Sequence, residues 1–111
     1  MAFDENLAAR VRELIGHEPG VTEKRMFGGL AMLLDGAMAV VVRGKGGLMV
    51  RVDPSAYEAV QAEPGAAPAQ MRGRPMRGWI TVAEPGYANE KDLRRWVTRG
   101  MTAARNASRT P

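Results

Sequence analysis

The residue types that carry chemistry are few in this chain and stand far apart. There is one histidine, His17, in the loop at 16–20, and there is no cysteine. A lone histidine has no second imidazole or thiolate with which to hold a metal. As a general base it would need an orienting carboxylate, and Asp and Glu are sparse around it in sequence. The two serines, Ser55 and Ser108, lack the Gly-x-Ser-x-Gly setting of a nucleophile elbow. Ser55 reads as helix-start chemistry. Asp35 belongs to a turn and Asp53 to a cap, so no carboxylate pair is indicated. Two glycine clusters remain, RMFGG at 25–29 and GKGG at 44–47. A phosphate loop leads into a helix N-terminus, where free amides face the anion. Both clusters lead instead into strand-like sequence. No residue is therefore expected in a catalytic, metal or cofactor site, and the chain is read as a non-enzyme.

What is left is positive charge and apolar surface. Among the 111 residues, Lys and Arg outnumber Asp and Glu by 16 to 12, a net charge of +4. Arg72, Arg74 and Arg77 fall close together, and a second run, including Arg94, Arg95 and Arg99, crowds the C-terminal stretch. Such a run reads first as a solvated helix face, and second as an electrostatic footprint for nucleic acid. The eight methionines are many for this length. Thioethers fill irregular cores by default, and they also serve adaptable binding surfaces.

The elements that must position these residues follow from periodicity. At 4–15, Leu7, Ala8, Val11, Leu14 and Ile15 make one helical stripe with Asp4 as N-cap. Strands are expected at 24–34, 37–43 and 48–52, joined by Asp35-Gly36 and by GKGG. In this reading Met26 and Phe27 face opposite sides of the first strand, and Gly28-Gly29 lets it bulge or bend. Asp53-Pro54 opens a short helix, and EPGAAP at 63–68 is a loop. Two more strands are expected at 69–72 and 76–83, joined by Gly73-Arg74-Pro75. Asn89 then caps a final helix with the stripe Leu93, Trp96, Val97, Gly100, Met101 and Ala104. The order α-β-β-β-α-β-β-α predicts one α+β domain in two layers, a five-stranded antiparallel sheet with helices on one side. It would span residues 1–104, with 105–111 a flexible basic tail. The acidic start has no signal-peptide pattern and no apolar run nears ~18 residues, so the location read is cytoplasmic, away from membranes.

The segments RMFGGLAMLLDGAMAVVV, LMVRVD, MRGWITVAE and DLRRWV, in that order and spacing, resemble the N-terminal domain of the TfoX/Sxy family. The resemblance covers roughly residues 10–104 and rests on the ordered set, with Met26, Phe27, Gly28 and Gly29 as its signature. The family pattern often has an aromatic where Met71 stands and Pro where Ala83 stands. The resemblance implies a two-layer fold similar to secretion chaperones. It also implies a regulatory role of the kind seen in natural competence, acting in transcription with a cAMP-receptor-type activator. Full-length regulators of this family carry a second, helical domain, and none follows within these 111 residues. No catalytic residue carries over.

Three functions stay open at this point. The leading one is a non-enzymatic regulatory module that contacts a protein partner, or a second copy as a homodimer, through a sheet face or edge. Arg25, Arg51, Arg72, Arg74 and Arg77 are its expected surface contacts. The second is direct nucleic-acid binding through Arg94, Arg95 and Arg99. The third is a small enzyme or ligand-binding fold with a pocket between sheet and helix.

Overall fold

A computed structural model describes residues 3–26 and 28–109, the side chains of Ser108 and Arg109 excepted. The elements are α1 (Glu5–Ile15), β1 (Val21–Met26), β2 (Gly29–Leu34), β3 (Ala37–Val42), β4 (Leu48–Arg51), α2 (Tyr57–Val60), β5 (Ala66–Met71), β6 (Arg74–Val82) and α3 (Glu90–Arg109). A single 3-10 turn at Glu84–Gly86 precedes α3. All strands pair antiparallel in one open sheet, in the order β1-β2-β3-β4-β6-β5.

The sheet has six strands, and the expectation of five is corrected at the RMFGG segment. The stretch taken as one strand is a hairpin. β1 and β2 pair from Val21↔Leu34 to Met26↔Gly29, so the chain reverses between Met26 and Gly29. Gly28 takes φ +73 there, a conformation that glycine enters without penalty. Phe27, and with it the opposed-face reading of Met26 and Phe27, lies outside the described residues. Gly29 is needed for a different reason: a Cβ built on it would lie 2.3 Å from the Val42 carbonyl oxygen. The order of elements becomes α-β-β-β-β-α-β-β-α.

Smaller corrections follow along the chain. β5 begins at Ala66, inside the expected loop, because an edge strand accommodates Pro68 where its missing N–H faces away from the ladder. The turn after it lies at Arg72-Gly73, both with positive φ, so Arg74 and Pro75 belong to β6. Asp53 does not cap the short helix: its carboxylate accepts from the Ser55 amide at 2.8 Å in a turn ahead of it, and the four-residue α2 begins only at Tyr57, with Ala56 at its N-cap and no side-chain cap. The final helix continues through residue 109, into the segment expected as a tail.

α1 and α3 were both legible in their caps. Asp4 accepts from the Asn6 and Leu7 amides, and Asn89 accepts from the Asp92 amide at 2.8 Å. Each satisfies donors that a helix start leaves free. All six residues of the expected α3 stripe are buried. The stripe packs with Leu7, Val11 and Ile15 of α1 against Leu30, Met32, Val40, Val42, Leu48, Val50, Ile80 and Val82 of the sheet. The strand residues alternate, so this is one face of the sheet. α2 adds Tyr57 and Val60 to the same cluster.

One close approach fixes α3 on the sheet. β2 and β3 change register between Met32 and Leu33, where Ala39 is the additional residue of a bulge. A Cβ on Gly100 would sit 2.6 Å from the Ala39 carbonyl oxygen. The bulge pushes the backbone of β3 outward, and the absent side chain at Gly100 makes room for it.

Candidate interaction surface

The helices cover one face of the sheet. The other face carries the opposite parity of residues: Leu33 on β2, Met38 and Val41 on β3, Met49 and Arg51 on β4, Trp79 and Thr81 on β6. No helix packs here among the described residues.

β5 and β6 change this flat face into a concave one. Their register runs regularly to Pro68↔Ile80 and resumes only at Gln70↔Pro75. Residues 76–79 of β6 therefore stand opposite Ala69 alone. Gly78 at φ +88 makes the bend possible, and its carbonyl accepts from the Val52 amide at 2.8 Å. Beyond the bend, the end of the hairpin leans over the open face. Met71 and Met76 then join Met38, Val41 and Met49 around a depression of about 250 Å³. Arg43 and Lys45, on the β3–β4 loop, stand at its rim. Neither pairs with a carboxylate among the described residues, and Arg43 makes only a long contact to the Gly46 carbonyl at 3.4 Å.

The methionines thus divide into two sets. Met32 and Met101 are in the core, as the default reading had it. Met38, Met49 and Met76 are half-buried on the opposite face, and Met71 is 50% exposed, the one large apolar side chain so exposed among the described residues. Met49 alternates with the core residues Leu48 and Val50, so it had to face away from the helices.

The five arginines expected on the surface do not form one patch. Arg25 lies on β1 at one edge of the sheet, over the Phe3 ring at 5.5 Å. Arg72 and Arg74 sit at the turn of the β5–β6 hairpin, at the other edge, and both are exposed. Arg51 and Arg77 come together, lining a separate cleft of about 340 Å³ with Asp53 and Trp79. Arg51 is a fixed part of that cleft. Its Nε donates to the Met38 carbonyl at 2.7 Å, and its guanidinium lies 4.7 Å from the Trp79 ring centre. Burial lowers its pKa, yet a guanidinium keeps its charge. Arg77 lies over Tyr57 at 5.7 Å.

On α3 the candidate nucleic-acid contacts are mostly engaged within the chain. Arg99 donates to both oxygens of Glu63, at 2.9 Å to Oε1, and stacks on Trp96 at 4.6 Å. Arg95 donates to Asp92 at 2.8 Å and to Glu63 at 3.1 Å. Arg94 is exposed. The hydrogen bonds from Arg99 first, then those from Arg95, hold the Glu63 carboxyl below its usual pKa. Because the folded value is depressed, this stabilisation is present above the unfolded carboxylate pKa and is lost as pH falls through the folded one. Glu63→Gln should therefore lower the urea midpoint by an equivalent of about 1 kcal/mol at neutral pH. The gap to wild type should narrow as pH falls below the ordinary carboxylate range and close only below the depressed folded value, where Glu63 is protonated in both states. A gap independent of pH would contradict this role for Glu63.

His17 is exposed in the loop after α1. Among the described residues no group of three or more His, Asp or Glu side chains is placed to hold a metal ion, and no helix is long and apolar enough to cross a membrane.

The structure defines an α+β domain with one helix-covered sheet face and one open, methionine-bearing face. The family model for the TfoX N-terminal domain matches residues 13–104, and the chain belongs to that family. The match runs from the last turn of α1 into the second half of α3 and includes every residue of the concave face named above. A comparison with curated proteins finds no significant match.

Proposed function

We propose that this chain is a regulatory interaction domain that acts by docking a protein partner on the concave face of its sheet, with no chemistry of its own. The observation that carries this is the placement of Met38, Met49, Met71 and Met76 around one depression on the face that the helices leave open. Apolar side chains gathered on an open face mark contact surfaces, and flexible thioethers adapt to what they meet. Membership of the TfoX N-terminal domain family supports a role in regulation of the competence type, exerted on transcription through the partner. A second copy of the chain is the other form such a partner takes.

The competing idea, direct contact with nucleic acid through α3, has less support. Glu63 and Asp92 engage Arg95 and Arg99, so two of the three cations would have to leave carboxylates before meeting phosphate.

The test is transcript profiling of a strain lacking the gene, complemented with wild type or with Met71→Glu. Met71 is exposed at a strand end, so the variant should melt as wild type does. Wild type should restore the transcripts that deletion changes, and Met71→Glu should not. Full restoration by Met71→Glu would remove the concave face from the function.

A further inference from the structure

Resting on that reading, we infer the chemistry of the partner: the concave face takes a large apolar side chain from an acidic, amphipathic peptide segment. Three observations converge on it. The depression is about 250 Å³, below the roughly 300–1,000 Å³ of ordinary small-molecule pockets. It is sized for an anchoring side chain. Its floor and walls are apolar, from Val41, Met38, Met49, Met71 and Met76. Its rim is of one sign. Arg43 and Lys45 line it, Arg72 and Arg74 flank Gly73 at the hairpin turn beside Met71, and no Asp or Glu is among the lining residues. None of these four cations pairs with a carboxylate among the described residues.

A contrast with three other arginines sharpens this. Arg12 pairs with Glu23 at 2.6 Å, and Arg95 and Arg99 share Glu63. These three arginines meet carboxylates of the chain itself, whereas the cations beside the depression meet none among the described residues. An apolar seat edged by the unneutralised cations Arg43 and Lys45, with Arg72 and Arg74 next to Met71 and Gly73 in sequence, complements an apolar anchor flanked by Asp and Glu.

The natural methionines provide the readout. The protein, labelled with carbon-13 at its methionine methyl groups, is titrated with two synthetic peptides of equal length. Both carry Leu and Phe at i, i+3, i+4 and i+7. One has Glu at the remaining positions and the other has Lys. The acidic peptide should move the signals of Met38, Met49, Met71 and Met76, while Met32 and Met101 stay in place and report an intact core. It should bind roughly tenfold or more tightly than the basic peptide at low salt, with the gap narrowing as ionic strength rises. The double variant Arg43→Glu, Lys45→Glu should abolish that preference while Met32 and Met101 keep their signals.

Four results would each overturn the inference. These are no movement with the acidic peptide, equal movement with both peptides, and movement on raising protein concentration alone, which would assign the face to a second copy. The fourth is movement with octanoate but neither peptide, which would assign it to a small anionic amphiphile. If the acidic peptide fails but Met71→Glu still abolishes complementation, the docking face stands and the acidic partner falls.

Discussion

Trp96→Ala should destabilise the domain by about 3–5 kcal/mol, the usual cost of truncating a large core aromatic. Trp96 is fully buried on α3, within the cluster that joins both long helices to the sheet. A domain of this kind has a total stability of only about 5–15 kcal/mol, so this one change should remove a large part of it. Two features set the details. The indole N–H has no hydrogen-bond partner among the described residues, so part of what the ring contributes by burial is offset by an unsatisfied donor. The Arg99 guanidinium over the ring ties the core to the Glu63 cluster. Trp96→Phe discards the orphaned donor and keeps most of the apolar surface, so it should cost clearly less than the alanine variant. Urea unfolding measures both. An alanine variant within about 1 kcal/mol of wild type, the range of a surface change, would mean that α3 is not the keystone of the core.

The second large effect is expected in the RMFGG hairpin, where two adjacent glycines should behave differently. A Cβ on Gly28 meets nothing within 4 Å, so Gly28→Val should cost only the strain of a branched residue at positive φ, about 1–2 kcal/mol. A Cβ on Gly29 would lie 2.3 Å from the Val42 carbonyl oxygen and 3.2 Å from the Gly44 amide nitrogen. Both are backbone atoms where β3 gives way to its turn, and they cannot step aside as a flexible side chain would. Gly29→Val must push β2 away from β3 and should cost about 3 kcal/mol or more. Thermal melting of the two variants should therefore place Gly29→Val well below Gly28→Val. The reverse order would mean that the turn, and not the approach of β2 to β3, explains the glycine pair.

How much of this was legible follows from whether a residue's partner is local. Asp4 and Asn89 cap helices that begin within three residues of them, and the stripes of α1 and α3 declare their buried faces. Asp35-Gly36 marks its hairpin, and both residues take the positive φ that such a turn needs. β1 was merged with β2 because Thr22, Glu23, Lys24 and Arg25 are all exposed. An edge strand with charged side chains shows no apolar alternation to read. β5 was partly hidden because Ala-Ala-Pro has little strand propensity, and only pairing with β6 holds it extended. The surface arginines were named as a set from composition, but β1 and the β5–β6 turn lie at opposite edges of the sheet, so Arg25 and Arg72 cannot share a site. The concave face depends on a register jump between β5 and β6 and on where the bent hairpin comes to rest. Neither is a local property, so Met71 and Met76 could not be placed beside Met38 and Met49 from the sequence.

The central claim is that the methionine-bearing face is a working surface covered by a partner in the cell. Methionine oxidation footprinting tests it most directly, because a thioether reports its own accessibility through sulfoxide formation. In the purified protein, brief peroxide treatment should oxidise Met71 fastest, then Met38, Met49 and Met76, with Met32 and Met101 slowest. The same treatment of intact cells should leave Met32 and Met101 unchanged relative to each other and slow Met49, Met71 and Met76 several-fold. Equal oxidation of Met49, Met71 and Met76 in cells and in the purified protein would contradict it.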